Sequence, residues 1–179
     1  VQKLAQWQKD GRDDLYISVN ISTKDFYYMD VYETITSLVE TYKIIPSTLK
    51  LEITETAIMT GTAGELEMIE RFRKSGFQVE IDDFGSGYSS FNTLKDMDVD
   101  VLKIDMGFLR ASENEVKGKD ILESIIVLAD KLGMEVITEG VETEKQLSML
   151  TRMGCKMFQG YYFSRPVPVD EFEEKYGIN

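Results

Sequence analysis

Short runs of Val, Ile, Leu and Tyr alternate along the chain with longer stretches whose apolar residues recur every three or four positions. The short runs predict six strands, over residues 15–20, 49–55, 78–83, 101–105, 135–139 and 156–159. Their interiors are almost continuously apolar, as in parallel strands buried on both faces. The intervening stretches predict helices over 23–42, 64–75, 90–95, 119–132 and 144–153. In the fourth of these, Ile125, Ile126, Leu128 and Ala129 share one side. Three returns from helix to strand repeat one pattern, Ser-Gly-Phe at Gly76, Leu-Gly-Met at Gly133 and Met-Gly-Cys at Gly154, and Pro46 punctuates another. The acidic run that starts at Asp170 predicts a solvated terminal helix.

Repeated strand–helix units specify an α/β fold, either a (β/α) barrel or an open doubly wound sheet. An open sheet gathers its ligand groups at one switch point beside a glycine-rich turn. Here Gly85-Ser-Gly-Tyr is the one such turn and lacks the dinucleotide fingerprint. Acid, amide or lysine groups instead close every strand: Asn20, Glu52 and Glu55, Asp82 and Asp83, Lys103 and Asp105, Glu139, and Gln159. That distribution favours a TIM-type barrel, whose sites draw on the whole rim. Six units against the eight of a closed barrel leave it about two short. No linker or composition shift divides residues 1–179, which read as a single barrel domain.

Composition narrows the chemistry. The chain has 179 residues, 42% of them hydrophobic, enough for a sizeable core. It has no apolar run of the roughly 18 residues that span a membrane, and no signal-peptide pattern at its start. A single cysteine, Cys155, excludes an internal disulfide framework, fits a reducing cytoplasmic setting and reads as a buried filler. With 20 basic against 32 acidic residues the formal charge is −12, which argues against a nucleic-acid polymer as partner. It leaves room for a small phosphorylated ligand held through cations. There is no histidine, so imidazole catalysis and His-ligated zinc are excluded.

Carboxylates and amides are hard oxygen donors, which suit Mg²⁺ or Mn²⁺ rather than zinc or copper. Adjacent Asp82 and Asp83 could serve a two-metal site in which one carboxylate bridges the ions, although Asp83 could equally cap the turn after it. Glu52 and Glu55 stand at an odd spacing, one towards a metal and one towards a loop, or both merely solvated. Asn20 offers a neutral oxygen; Ser22 and Thr23 are better placed than it to cap the next helix. Lys103 interrupts an apolar strand and needs an acidic partner, either Asp105 or an acid of the rim. Glu139 and Gln159 fit the same pattern, while Tyr161, Tyr162 and Phe163 read as packing. Chemistry alone leaves two reactions open: two-metal phosphodiester hydrolysis, favoured by the Asp pair, and enolase-type proton abstraction.

The ordered strings Val-Asn-Ile-Ser, Glu-Ile-Thr-Glu, Asp-Asp-Phe-Gly-Ser-Gly-Tyr-Ser-Ser, Lys-Ile-Asp, Glu-Gly-Val-Glu-Thr and Gln-Gly-Tyr strongly resemble the EAL-domain family of cyclic di-GMP phosphodiesterases. The resemblance runs from Trp7 to about Phe172. It implies a TIM-type barrel that opens cyclic di-GMP to linear pGpG with Mg²⁺ or Mn²⁺. By that likeness Asn20, Glu52 and Asp82 hold a first ion, and Asp82 bridges to a second that Asp83 and Glu139 also hold. Lys103 matches the lysine on the attacking water, Gln159 the glutamine completing the site, and Glu55 the glutamate bracing the loop over residues 83–90. The family also implies a homodimer and, in the parent protein, an upstream GGDEF or sensor domain that need not be soluble. The Glu-Ala-Leu triplet that names the family lies upstream of the Asn20 position in relatives and is absent here, so that by this likeness the TIM-type barrel is incomplete at its N-terminus. Within the chain, Glu80 replaces a small apolar residue and Met106 follows Lys-Ile-Asp. The rival is a receptor module that binds the nucleotide without cleaving it.

Overall fold

A computed structural model describes residues 1–85, 99–105, 107 and 116–178. The helix expected over 90–95, the loop over 86–90 and Met106 lie outside the described residues. The elements run α1 (Gln2–Lys9), β1 (Ile17–Asn20), α2 (Thr23–Tyr28), α3 (Val31–Tyr42), a 3-10 turn (Pro46–Thr48), β2 (Leu49–Thr54), α4 (Glu55–Thr60) and α5 (Ala63–Lys74). They continue with β3 (Val79–Phe84), β4 (Val101–Ile104), α6 (Val116–Lys131), β5 (Glu135–Thr138), α7 (Glu144–Arg152), β6 (Met157–Phe158) and α8 (Val169–Tyr176). All six predicted strands are present, and neighbours along the sheet are neighbours in sequence, in the order β1-β2-β3-β4-β5-β6. The described pairings are parallel, as βαβ connections require.

The chain divides into two compact units. The first comprises Val1–Glu52, Gly61–Val79 and Pro166–Asn179. Here β1 pairs with β2 in a register that sets Asn20 beside Glu52. Phe72 of α5 is fully buried and packs against Tyr32 and edge-on against Phe77, with ring centroids 5.1 and 5.4 Å apart. One continuous helix was expected over 23–42, and the structure corrects it to two. Met29 is extended (φ −152°, ψ 158°), and the Asp30 carboxylate accepts the Glu33 amide at 2.9 Å, which caps a fresh start for α3. Ser22 caps α2, its amide donating to Asp25 at 2.8 Å. The terminal helix α8 is also less solvated than its acidic sequence suggests. Glu173 is 9% exposed, accepts the Trp7 indole N–H at 2.6 Å and pairs with Lys3 at 3.0 Å, which fastens α8 to α1.

The second unit comprises Ile53–Thr60 and Glu80–Arg165. Within it β3, β4, β5 and β6 lie side by side, with Leu102 opposite Val136 and Ile137 opposite Met157. Helix α6 buries Ile125, Ile126 and Ala129 of the expected stripe and extends it one turn towards the N-terminus with Leu122, while Leu128 is half-buried at its margin. Glu80 is buried within β3. Cys155 is buried, its thiol 3.2 Å from the Thr138 hydroxyl.

The three glycine returns are built alike. Gly76, Gly133 and Gly154 each adopt positive φ, and the next residue donates its amide to a carbonyl five positions back: Phe77 to Phe72, Met134 to Ala129, Cys155 to Leu150. That bond closes the last helical turn and starts the strand, and a residue without Cβ adopts its geometry at least cost.

Candidate metal centre

The C-terminal edge of β3–β6 carries the site. At the end of β3 the pairing with β4 shifts register between Ile81 and Phe84. Asp83 sits at the shift in the left-handed region, with φ 57°. A regular strand sends adjacent side chains to opposite faces. The left-handed residue cancels that alternation, and Asp82, Asp83 and Glu139 each bring a carboxylate oxygen within 4.8 Å of the others. Asparagine and aspartate tolerate this backbone region better than most residues, though at a cost.

Lys103, 4% exposed, is the cation among them. Its ammonium lies 2.8 Å from Asp82 and 3.0 Å from Glu139, so its partners are acids of the rim rather than Asp105. Asp105 turns to the Gly107 amide at 2.6 Å. Asp83 is itself exposed, but partial loss of hydration raises its carboxyl above the usual range, and the charges of Asp82 and Asp105 raise it further against the pull of Lys103. Three carboxylates facing one ammonium leave about two negative charges, a donor set of hard oxygens that fits a divalent cation. Asp82, Asp83 and Glu139 would hold such an ion.

The remaining predicted residues fall into place around this cluster or in the first unit. Glu55 opens α4 rather than closing β2; it is 3% exposed and accepts the Gly85 amide at 3.1 Å, two residues beyond Asp83. Gln159 follows β6 and is exposed; its amide donates to the Thr138 carbonyl at 2.9 Å, one residue before Glu139. In the first unit Asn20 is exposed, and Glu52, 9% exposed, accepts the Ile21 amide on its backbone carbonyl at 2.8 Å. Tyr161, Tyr162 and Phe163, expected to pack, are about half exposed: Phe163 stacks on Phe158 at 6.4 Å and meets Tyr162 edge to face at 5.3 Å, while the Arg165 guanidinium lies over Tyr161.

Sequence reasoning offered Asp105 only as a partner for Lys103 and gave Glu142 no role. Both line a hollow of about 320 Å³ together with Glu139, Gly140, Gln159 and Tyr161. The signal was present, since each lies in a string that ends a strand.

The family model described as EAL domain matches residues 1–166. The bifunctional diguanylate cyclase/cyclic di-GMP phosphodiesterase MucR of Pseudomonas aeruginosa is 34% identical over 170 residues, 95% of this chain and 25% of that protein. Among solved structures, the EAL enzyme Bd1971 in its cAMP- and cyclic-di-GMP-bound form superposes with a TM-score of 0.89 at 33% identity, covering 97% of this chain and 48% of that one. Klebsiella pneumoniae BlrP1, in a manganese/cyclic-di-GMP complex, gives 0.80 at 26% identity over 92% of this chain and 42% of that one. A calcium complex of the same BlrP1 gives 0.82. The chain thus spans about a quarter of the curated relative and half or less of these two solved chains. Its parallel strand–helix succession is the TIM-type barrel architecture of those neighbours, and the chain belongs to the EAL domain family.

Proposed function

We propose that the chain is part of a metal-dependent phosphodiesterase that hydrolyses cyclic di-GMP to linear pGpG. The observation that carries this reading is the buried Lys103 ammonium between Asp82 and Glu139, with Asp83 turned to the same side, in an EAL-family chain. Mg²⁺ or Mn²⁺, when bound, would neutralise phosphate charge and make water more acidic. Asp82, Asp83 and Glu139 would hold these ions, with Asn20 and Glu52 assigned to the first of two.

Lys103 orients the attacking water, and its two carboxylate partners fix its position. The water gives up a proton as its oxygen bonds to phosphorus, the phosphorus–oxygen bond to one ribose breaks, and the released ribose oxygen takes up a proton to become a hydroxyl. Gln159 completes the water's surroundings, and Glu55 braces the turn at Gly85. The reaction belongs to the cytoplasm, a reducing setting in which the single Cys155 stays a thiol.

The test is turnover of cyclic di-GMP by the chain with Mn²⁺ or Mg²⁺. Asp82→Asn and Lys103→Ala should each lower it by more than about a hundredfold, in the range seen when groups that stabilise charge are removed. Activity within tenfold of the parent in either variant would overturn the assignments. Tight nucleotide binding without turnover in the parent would point to a receptor.

A further inference from the structure

Past the ends of β5 and β6 the backbone forms a clasp that neither strand accounts for. The Val141 amide donates to the Gln159 carbonyl at 3.0 Å, and the Val141 carbonyl accepts the Tyr162 amide at 3.0 Å. Gly160 lies between these two bonds. A Cβ there would stand 2.2 Å from the Val141 oxygen, 2.4 Å from its nitrogen and 2.8 Å from its carbonyl carbon. These are backbone atoms that cannot swing aside, so only glycine lets the two segments approach this closely. Val141 is itself fully buried, which holds the other side of the clasp in place.

The clasp is tied in at both ends. The Gly160 carbonyl accepts the amides of Phe163 and Ser164 at 3.1 and 3.3 Å, which winds the segment after it into a turn. On the other side, the Glu142 and Thr143 amides both donate to the Gln146 side chain at 2.9 Å, anchoring the segment to the start of α7. Glu139 lies two residues before Val141, and its amide donates to Ile104 at 3.0 Å. Gln159 immediately precedes Gly160. β6 is only two residues long and ends before Gln159, so the strand cannot set that residue's position by itself.

We propose that Gly160 is a positioning residue. By admitting Val141 it fixes the segment that carries Glu139 against the one that carries Gln159, and so sets the Glu139 carboxylate for metal beside Asp82 and Asp83. This rests on the metal reading above. Supports of a ligand typically change metal affinity by about 10–100-fold when removed.

The experiment measures Mn²⁺ affinity by calorimetry on the parent chain, Gly160→Ala and Ile125→Ala, with melting curves for all three. Ile125→Ala removes packing on α6 away from the clasp and should lower the melting temperature while keeping Mn²⁺ affinity within about twofold. Gly160→Ala should weaken Mn²⁺ at least about tenfold. A second measurement needs no variant. Because coupling is reciprocal, Mn²⁺ should slow hydrogen exchange of the Val141 and Tyr162 amides in the parent. The Met134 and Cys155 amides, at the opposite ends of the same strands, should be unaffected. Parent affinity in Gly160→Ala, or unchanged Val141 and Tyr162 exchange on saturation with Mn²⁺, would overturn the clasp while leaving the metal reading standing. Failure of the parent to bind Mn²⁺ would overturn both.

Discussion

Lys103 is the residue on which the largest energies converge. A buried cation between two carboxylates is tolerated because each ion compensates the other, and deleting one member of such a set costs about 3–5 kcal/mol. Lys103→Ala should therefore destabilise the metal-free chain by about that amount in urea melts, and added Mn²⁺ should restore part of it. Asp83 behaves in the opposite way. Its carboxyl titrates above the unfolded value, so folding favours its protonated form. It stabilises the fold at pH below the unfolded pKa, and that contribution is lost as pH rises through the folded pKa. Asp83→Asn retains a side chain suited to the left-handed backbone and removes the ionisation. The metal-free variant should melt higher than the parent at neutral pH and bind Mn²⁺ more weakly; a lower melting temperature would contradict this account. The sequence displayed both residues but not their geometry. An Asp-Asp pair in a regular strand diverges, and no residue pattern announces that the second of them will take φ 57°.

At the scale of elements, legibility follows how local the cause is. The glycine returns were readable because each is complete within six residues, from the accepting carbonyl to the donating amide. The break at Asp30 was missed because apolar periodicity continues across it, although the Asp30–Glu33 cap is itself a local signal. Helix α1 was missed as an element, and the burial of Glu173 was hidden in an acidic run, because both depend on partners more than 160 positions away. The Trp7 and Lys3 bonds hold the Glu173 carboxyl below its usual range, the indole contributing most. That stabilisation is present above the unfolded pKa and is lost as pH falls through the folded one. Glu173→Gln should accordingly flatten the loss of stability below about pH 4.5, near the ordinary glutamate value, in acid melts followed by Trp7 fluorescence. An unchanged pH profile would remove Glu173 from the acid response.

For the whole molecule, the net charge of −12 surrounds the candidate centre with a field of the same sign as its ligands. Such a field concentrates cations near the surface and is screened over about 10 Å at 0.1 M salt. Apparent Mn²⁺ affinity should fall steadily as NaCl is raised, with the metal concentration range held fixed. A flat response would assign the affinity to the local donors alone. The fold class was legible at this scale because every strand ends in a group able to bind or exchange charge. The route by which Glu139 and Gln159 are held together was not, since it depends on a two-residue strand and on backbone approach at Gly160.

The fastening of α1 to α8 through Lys3, Trp7 and Glu173 also matters to anyone building with this protein. Because its partners lie more than 160 positions apart in sequence, any force that parts residues 2–9 from residues 169–176 has to break it. Such a force would load the Trp7–Glu173 bond. The tryptophan there, the only one in the chain, would report it as a change in emission.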